Sequence, residues 1–309
     1  MESNKVVTIL GAGFIGRYII KHLDKKGFRS IVLSRSPFSK NYILTQARTG
    51  YVDVLKFSQS EIKRSIEKSD YVINLIGILG PTKDFFKIHS DLPDLISKLC
   101  AERKNVKKFI HVSAIGANKN SKSIYQQSKF SGEEKVLSNF NSSVIIRPSL
   151  VVGSEDYITN LYAKLSFFPI IPVVGSKFRF QPIFVNDLAT AIVNAIEIKE
   201  NEGKIIEIGG NKIISFEDIV KLILRIIGKK KLIIDIPLSF GKIAGSILQL
   251  LPGGPLLTKD QCLILGEKDN IVSGNYLTIN DLKISPVDVE SKMSEWLYRY
   301  RDGGEFAKI

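Results

Sequence analysis

In the first half of the chain, short unbroken apolar runs alternate with stretches in which apolar positions recur at helical spacing. The runs are Val6–Leu10, Ser30–Ser34, Tyr51–Val54, Tyr71–Ile76, Lys108–Val112 and Ser143–Arg147. They are rich in Val and Ile, as expected for strands covered on both faces. Between them, Phe14–Lys25, Ser60–Glu67, Leu92–Arg103 and Tyr125–Leu137 carry the helical pattern. Strand–helix repetition of this kind predicts an α/β fold: a doubly wound parallel sheet with right-handed crossovers. A ligand crevice is then expected beyond the C-terminal ends of the strands.

After Pro148 the texture changes. FFPIIPVVG closes a segment rich in aromatics and prolines, RFQPIF reads as a strand, and Asn186–Asp187 read as the cap of a helix Leu188–Ile198. Lys204–Ile208 is another strand. Ser215 is placed to cap a helix ending at Ile227, with Glu217 and Asp218 at its positive end and Phe216, Ile219, Val220, Ile223 and Ile227 on its buried face. These patterns predict a dinucleotide-binding domain over 1–155 to which 179–210 returns, a crossover segment 156–178, and a smaller, mostly helical domain over 211–309.

The first apolar run leads directly into Gly11, Gly13 and Gly16. Glycines at this spacing, after a strand and at the opening of a helix, let the backbone lie against a pyrophosphate. The first permits the tight turn, the second leaves no side chain in the way, and the third brings helix and strand together. Phe14 and Ile15, between the second and third glycines, are candidate contacts to the same cofactor. The second run ends at Ser34 and Arg35, where an NAD-selective site usually carries an acid on the ribose hydroxyls. A serine removes the repulsion toward a ribose phosphate, and a guanidinium can pair with it. NADP(H) is therefore the preferred cofactor, with NAD(H) as the alternative.

Other strand ends supply candidates. Asp53, followed by Val54, can accept from the adenine amino group or cap a turn. Asn74, Ile76 and Gly77 sit at the end of the fourth strand: Gly77 admits close backbone approach, and Asn74 can bond to ligand or across to a neighbouring strand end. Tyr125 and Lys129 form YxxxK on one helical face, where an ammonium favours the phenolate and can hold a ribose. They are candidate cofactor contacts and a catalytic acid–base pair, with Ser113 a weaker catalytic candidate. Arg147, Arg179 and Gln181 fall near the crevice, with structural pairing as the alternative. His22, His89 and His111 read as structural. Ser239–Leu251 is amphipathic, with Phe240, Ile243, Ala244, Ile247, Leu250 and Leu251 on one side; it either packs on the smaller domain or touches a membrane or a large partner.

At 309 residues, 44% hydrophobic and 24% charged, the chain can bury a full core. Its formal charge of +13 comes without a compact Lys/Arg run interleaved with aromatics, so nucleic-acid binding is not expected. Cys100 and Cys262 make neither a metal spacing nor a disulfide framework, which fits a reducing compartment and no metal. The first strand begins too early to leave room for a signal peptide, and no apolar run is long enough to span a bilayer.

LGAGFIGR, INLIGIL, HVSAIGA, YxxSK, IIRPSLVVG, RFQPIFVNDLATAI, LPGGPLLTKDQ, DNIVSG and YRYRDGGEF together resemble an atypical branch of the extended short-chain dehydrogenase/reductases. That branch holds the ninth alpha-subcomplex subunit of mitochondrial complex I and its bacterial relatives. The resemblance covers nearly the whole chain. It implies a Rossmann domain holding NADP(H), a smaller domain over the crevice, and association with respiratory complex I or a quinone-synthesis assembly, with peripheral membrane contact. A bacterial protein of this kind is expected in the cytoplasm or at the inner face of the membrane, a eukaryotic one on the matrix side. Gly11, Gly13 and Gly16 match the family's phosphate loop, Arg35 its contact to the ribose phosphate, and Tyr125 with Lys129 its dehydrogenase pair. Two positions depart from the pattern. Leu10 stands where extended members commonly have glycine. Ala114 follows Ser113 where active members carry a second Ser or Thr, and loss of such a donor costs on the order of 10²–10³ in rate. The cofactor is then structural or sensing. The alternative is an active reductase or epimerase using Tyr125 and Lys129 on a small carbonyl compound, a quinone precursor or a nucleotide sugar.

Overall fold

The computed structural model describes residues 5–34, 52–250 and 257–307. Strands β1 (Val6–Leu10), β2 (Arg29–Ser34), β3 (Val52–Lys56), β4 (Tyr71–Asn74), β5 (Lys108–Val112), β6 (Ser143–Pro148), β7 (Ile205–Ile208) and β8 (Leu277–Thr278) form one sheet. Every pairing in it is parallel, and the order is β8-β7-β6-β5-β4-β1-β2-β3. The chain winds outward from β1 to β3, then returns to the other side of β1 at β4. That reversal opens a crevice between β1 and β4 at their C-terminal ends.

Alternation along the strands builds two cores. Val7, Ile9, Val32, Ile73, Ile110, Val144 and Ile146 face helices α1 (Phe14–Lys25) and α6 (Val185–Glu197). Leu10, Leu33, Val72, Phe109 and Ile145 face the other way, against α2 (Gln59–Glu67), α3 (Leu92–Ala101) and α4 (Ile124–Asn139). Burial on both sides explains why these strands read as continuous apolar runs.

A third core lies beyond the sheet. It joins α5 (Tyr157–Leu165), α7 (Phe216–Ile227) and α10 (Val289–Leu297) to a two-stranded parallel ribbon, Ile170–Val174 with Leu232–Ile236. In α7 the Ser215 hydroxyl accepts from the Asp218 amide at 3.1 Å, and Gly228 ends the helix at φ +72°. Helices α8 (Leu238–Leu248) and α9 (Lys259–Ile264) pack on each other beside the ribbon.

Several elements differ from the reading of the sequence. RFQPIF is two short bridges: Arg179–Phe180 pairs with Ile214–Ser215, and Ile183–Phe184 with Val151–Val152. Pro182 has no amide to give a ladder, and the Gln181 side chain is committed to Gly210 O and the Val272 amide. The following helix starts at Val185. Asn186 turns to His22 and Asp187 accepts from the Val287 amide, so neither caps it. The fourth strand stops at Asn74, and α3 is extended upstream by a wide turn over Lys87–Asp91. Residues 277–282 of the expected C-terminal lobe lie on the main sheet: Leu277 and Thr278 pair with Ile206 and Glu207, and Ile279 and Leu282 enter the first core.

Helix α4 lies against the Lys87–Asp91 turn at Gly132, where an added Cβ would collide with the His89 carbonyl oxygen. Gly132→Ala should therefore destabilise by about 1–3 kcal/mol despite alanine's better helix propensity. Thermal unfolding checks this: Tm should fall by several degrees, and a rise would show that the close approach is absent.

Candidate functional site

The glycine loop connects β1 to α1. Gly11 has φ +100°, a conformation that disfavours any Cβ, and its amide donates to Leu33 O at 3.1 Å. A Cβ at Gly16 would strike the Gly11 carbonyl oxygen, so this glycine lets the helix close on the turn. At Gly13 the position of a Cβ is open, with no atom within 4 Å. Gly13 is also the N-cap of α1, no side chain caps that terminus, and no acid occupies its first turn. Phe14, Ile15 and Gly16 provide the first helical amides. A dinucleotide's pyrophosphate fits this arrangement: amides at a positive helix end face a space that only glycine leaves free.

The fourth strand supplies the opposite wall. Asn74 is fully buried; its amide donates to His111 Nδ1 on β5 at 3.1 Å, and its oxygen accepts from the Ile76 amide at 3.1 Å. The residue thus bonds across to a neighbouring strand end and carries Ile76 over Gly11, where the Ile76 side chain would touch a Cβ at 3.3 Å. His89 Nε2 then accepts from the Ile78 amide at 3.0 Å, leaving Nδ1 facing Ser128 at 3.0 Å. Burial, with the Lys129 charge adding, lowers His89 to about 3, so the ring stays neutral. Gly77 lies between these contacts, and a Cβ there would meet Lys129 Nζ at 3.2 Å.

Tyr125, Lys129 and Glu133 are spaced four apart on α4 and share one face. Lys129 Nζ donates to Val112 O at 3.3 Å and lies 5.9 Å from the centre of the Tyr125 ring. His89 stands edge-on to that ring at 5.3 Å. Contrary to the expectation from YxxxK, the phenol does not become more acidic. Burial, then the Asp260 carboxylate, raises Tyr125 to about 12, while burial lowers Lys129 to about 8 against the pull of Glu133. Desolvation outweighs the ammonium.

Below this pair runs a buried ionic chain. Arg147 donates twice to Glu133, at 2.9 and 2.5 Å, and lies 3.7 Å from Glu207. Glu207 accepts from the Ser273 amide at 2.6 Å, and Tyr276 stacks on the guanidinium at 5.1 Å. Arg147 is therefore a structural ion pair. Arg179 pairs with Asp269 at 2.7 Å, the structural alternative for that residue. Ser113 is buried beside Glu133, with Ala114 following at the strand end.

The N-terminus of α4 is held from a distance. Asp260 accepts from the Ser123 hydroxyl at 2.7 Å and the Ile124 amide at 2.8 Å, and Glu267 from the Lys122 amide at 2.5 Å. No local signal marks these two acids, which lie more than 130 residues downstream of the amides they bind. Glu133 was findable by its spacing from Lys129, and His89 only through the fold. Ser34 is the last residue of β2, and its carbonyl accepts from the Phe57 amide at 3.1 Å. Arg35 and the side chains of Asp53 and Val54 lie outside the described residues. Among the described residues no cluster of metal-ligating side chains occurs.

The sheet order, the glycine turn and the Tyr–Lys helix define a Rossmann-type nucleotide-binding protein. The chain belongs to the NAD-dependent epimerase/dehydratase family, which matches residues 7–209. It is 31% identical to NADH dehydrogenase [ubiquinone] 1 alpha subcomplex subunit 9, mitochondrial, of Mus musculus, over 97% of this chain and 81% of the mouse protein. The Arabidopsis thaliana protein of the same name is 30% identical over 98% and 79%. Among solved structures, UDP-glucuronic acid 4-epimerase from Bacillus cereus superposes with a TM-score of 0.71 over 96% of this chain and 98% of the epimerase, at 20% identity, which speaks to the fold. Family and glycine turn together support a nicotinamide dinucleotide in the crevice.

A lysine lowered from 10.5 to about 8 opposes folding at neutral pH by roughly 3 kcal/mol. The unfolded chain binds more protons between those values, so the penalty is complete below about 8 and vanishes as pH rises toward 10.5. Lys129→Met should raise the Tm of nucleotide-free protein at pH 7, and the gain over wild type should shrink by pH 10. Calorimetry at both pH values checks this; a lower Tm for the variant at pH 7 contradicts it.

Proposed function

We propose that this protein holds NADP(H) as a structural or sensing ligand within an assembly of the respiratory chain, either complex I itself or a quinone-synthesis complex. The observation that carries the reading is the state of the Tyr125–Lys129 pair. Similarity to subunit 9 extends over nearly the whole chain, yet the phenol is raised to about 12 and Ala114 offers no second donor to a developing oxyanion. A group that stays protonated at neutral pH is a poor general base, and carbonyl reduction without the donor is slow. The same residues suit retention: Lys129 and Tyr125 at a buried crevice end can hold a ribose without turnover.

Arg35, next after Ser34 at the tip of β2, is the group proposed to pair with the ribose phosphate. The larger unit, residues 1–155 with 179–210 returning to it, is the one proposed to hold that ligand. A reducing compartment and peripheral attachment fit the two unpaired cysteines and the lack of any described helix able to cross a membrane. A second reading, an NADP-dependent reductase or epimerase on a small carbonyl compound, draws on one observation: Tyr125 and Lys129 do share a face beside Gly77.

Native mass spectrometry of protein taken from its source should find NADP(H) retained and a respiratory or quinone-synthesis partner attached. Tyr125→Phe should leave both nucleotide content and assembly intact; loss of assembly with nucleotide still bound would favour the enzyme. Arg35→Ala should weaken NADPH by about tenfold or more, as expected for a lost charge-assisted pair, while changing NADH little. Equal weakening of both by calorimetry would remove the selectivity argument.

A further inference from the structure

Helix α8 is amphipathic as the sequence indicates, but it is turned the opposite way from a helix packed on its own lobe. Its inward face is made of glycines: Gly241 lies against Val174 and Gly245 against the Thr258–Lys259 backbone, each too close for a Cβ. The large apolar side chains point outward. Phe240, Ile243, Ile247 and Leu250 are between 61% and 80% exposed and recur at helical spacing along one stripe. The only charge on α8 is Lys242.

The neighbouring ribbon has the same character. In its Ile170–Val174 strand, Ile171 and Val173 enter the third core while Ile170 and Pro172 are exposed. Their register partners Leu232 and Ile234 are exposed as well. Val174 shares this outer face by alternation and is the residue that α8 covers at Gly241. The bare part of the ribbon and α8 therefore belong to one side of the molecule. Phe168, two residues before the Ile170–Val174 strand, is 61% exposed.

Charge decides what covers this side. Lys229, Lys230 and Lys231 lead directly into the exposed Leu232, and together with Lys221 and Arg225 they line one groove at the end of α7. Lys229, Lys230, Lys231 and Lys242 form no ion pair among the described residues, whereas Lys221 and Arg225 pair with Glu217 and Glu290. Lys229 lies 3.7 Å over the Phe167 ring, next to Phe168. Asp235 is the only acid in the ribbon and alternates onto its other face. An apolar face with one lysine on α8 and three lysines without ion pairs at the far end of the ribbon, and no helix among the described residues able to cross a membrane, has the composition of an element that lies in a bilayer interface.

We propose that α8 and the outer face of the Ile170–Val174/Leu232–Ile236 ribbon form a docking surface for an anionic lipid bilayer. Phe240, Ile243, Ile247 and Leu250 enter the headgroup–acyl boundary, and Lys229–Lys231 meet lipid phosphates. A bilayer fits better than a protein groove-binder because the apolar positions form a ridge on α8. The proposal rests on the peripheral attachment proposed above, for which it names the surface and the lipid, and it does not depend on which nucleotide the crevice holds.

Flotation of the full chain with protein-free vesicles tests it, comparing phosphatidylcholine alone with phosphatidylcholine containing roughly one third phosphatidylglycerol. Wild type should bind the anionic vesicles at least about tenfold more tightly, with affinity falling as salt rises. Ile243→Asp with Ile247→Asp should lower that affinity by about tenfold or more, with Tm and nucleotide binding unchanged. Leu250→Asp, at the most exposed position, gives the same reading with less risk to folding. Lys229, Lys230 and Lys231 changed together to Gln should flatten the salt dependence. Three results would overturn the proposal: equal binding to neutral and anionic vesicles, binding unaffected by either aspartate variant, or retention only on membranes that still carry proteins. A free-protein dimer that Ile243→Asp with Ile247→Asp converts to monomer would also overturn it, by assigning the face to a second copy.

Discussion

A buried guanidinium organises this molecule. Arg147 sits at the C-terminal end of β6 with its fork on Glu133 of α4 and a second carboxylate, Glu207 of β7, at its other edge. Charges this deep are tolerable only when paired and fully hydrogen-bonded, and leaving one partner unmatched typically costs about 3–5 kcal/mol. The pairing fixes where α4 lies on the sheet. It also ties in the segment after residue 270, through the Ser273 amide on Glu207 and Tyr276 on the guanidinium. One cation thereby registers a helix, two strands and a distant loop at the crevice floor.

The site above inherits its properties from that placement. Two cations, Lys129 and Arg147, and two anions, Glu133 and Glu207, balance one another inside the protein. Such balance lowers the cost of burial without making Tyr125 acidic, because its own desolvation is not offset by a close ammonium. In the function proposed above, the crevice consequently serves to hold a nucleotide and is poorly equipped for general-base catalysis at neutral pH. Glycine geometry and the Asn74-anchored loop belong to the binding half of that description; Ala114 belongs to the other half.

Much of this was legible in the chain. Strands buried on both faces leave uninterrupted apolar runs, so β1, β2, β5 and β6 could be placed almost to the residue. Gly11 and Gly16 carried their backbone roles, a tight turn and a close helix approach, in their spacing, and Ser215 with the apolar pattern running to Ile227 marked both ends of α7. What failed to show has a common cause. Strands of two residues, such as Ile183–Phe184 and Leu277–Thr278, lack the length to express a period, and Pro182 hides a break in what looks like one strand. Partners far apart along the chain, such as Asp260 with Ile124 or Glu267 with Lys122, leave no local trace. The orientation of α8 was hidden because the sequence reports that a helix has two unlike faces without saying which one is inside; the glycines on the packed side were the missed signal.

The hold that Asp260 takes on α4 reaches beyond a helix terminus. Asp260 belongs to α9, and α9 is the element against which the glycine face of α8 rests. Two short helices therefore connect the outermost apolar ridge to the first turn of the helix bearing Tyr125 and Lys129. Any free-energy coupling carried by that connection is reciprocal: whatever a load on the ridge does to a ligand at the tyrosine helix, the ligand does to the load.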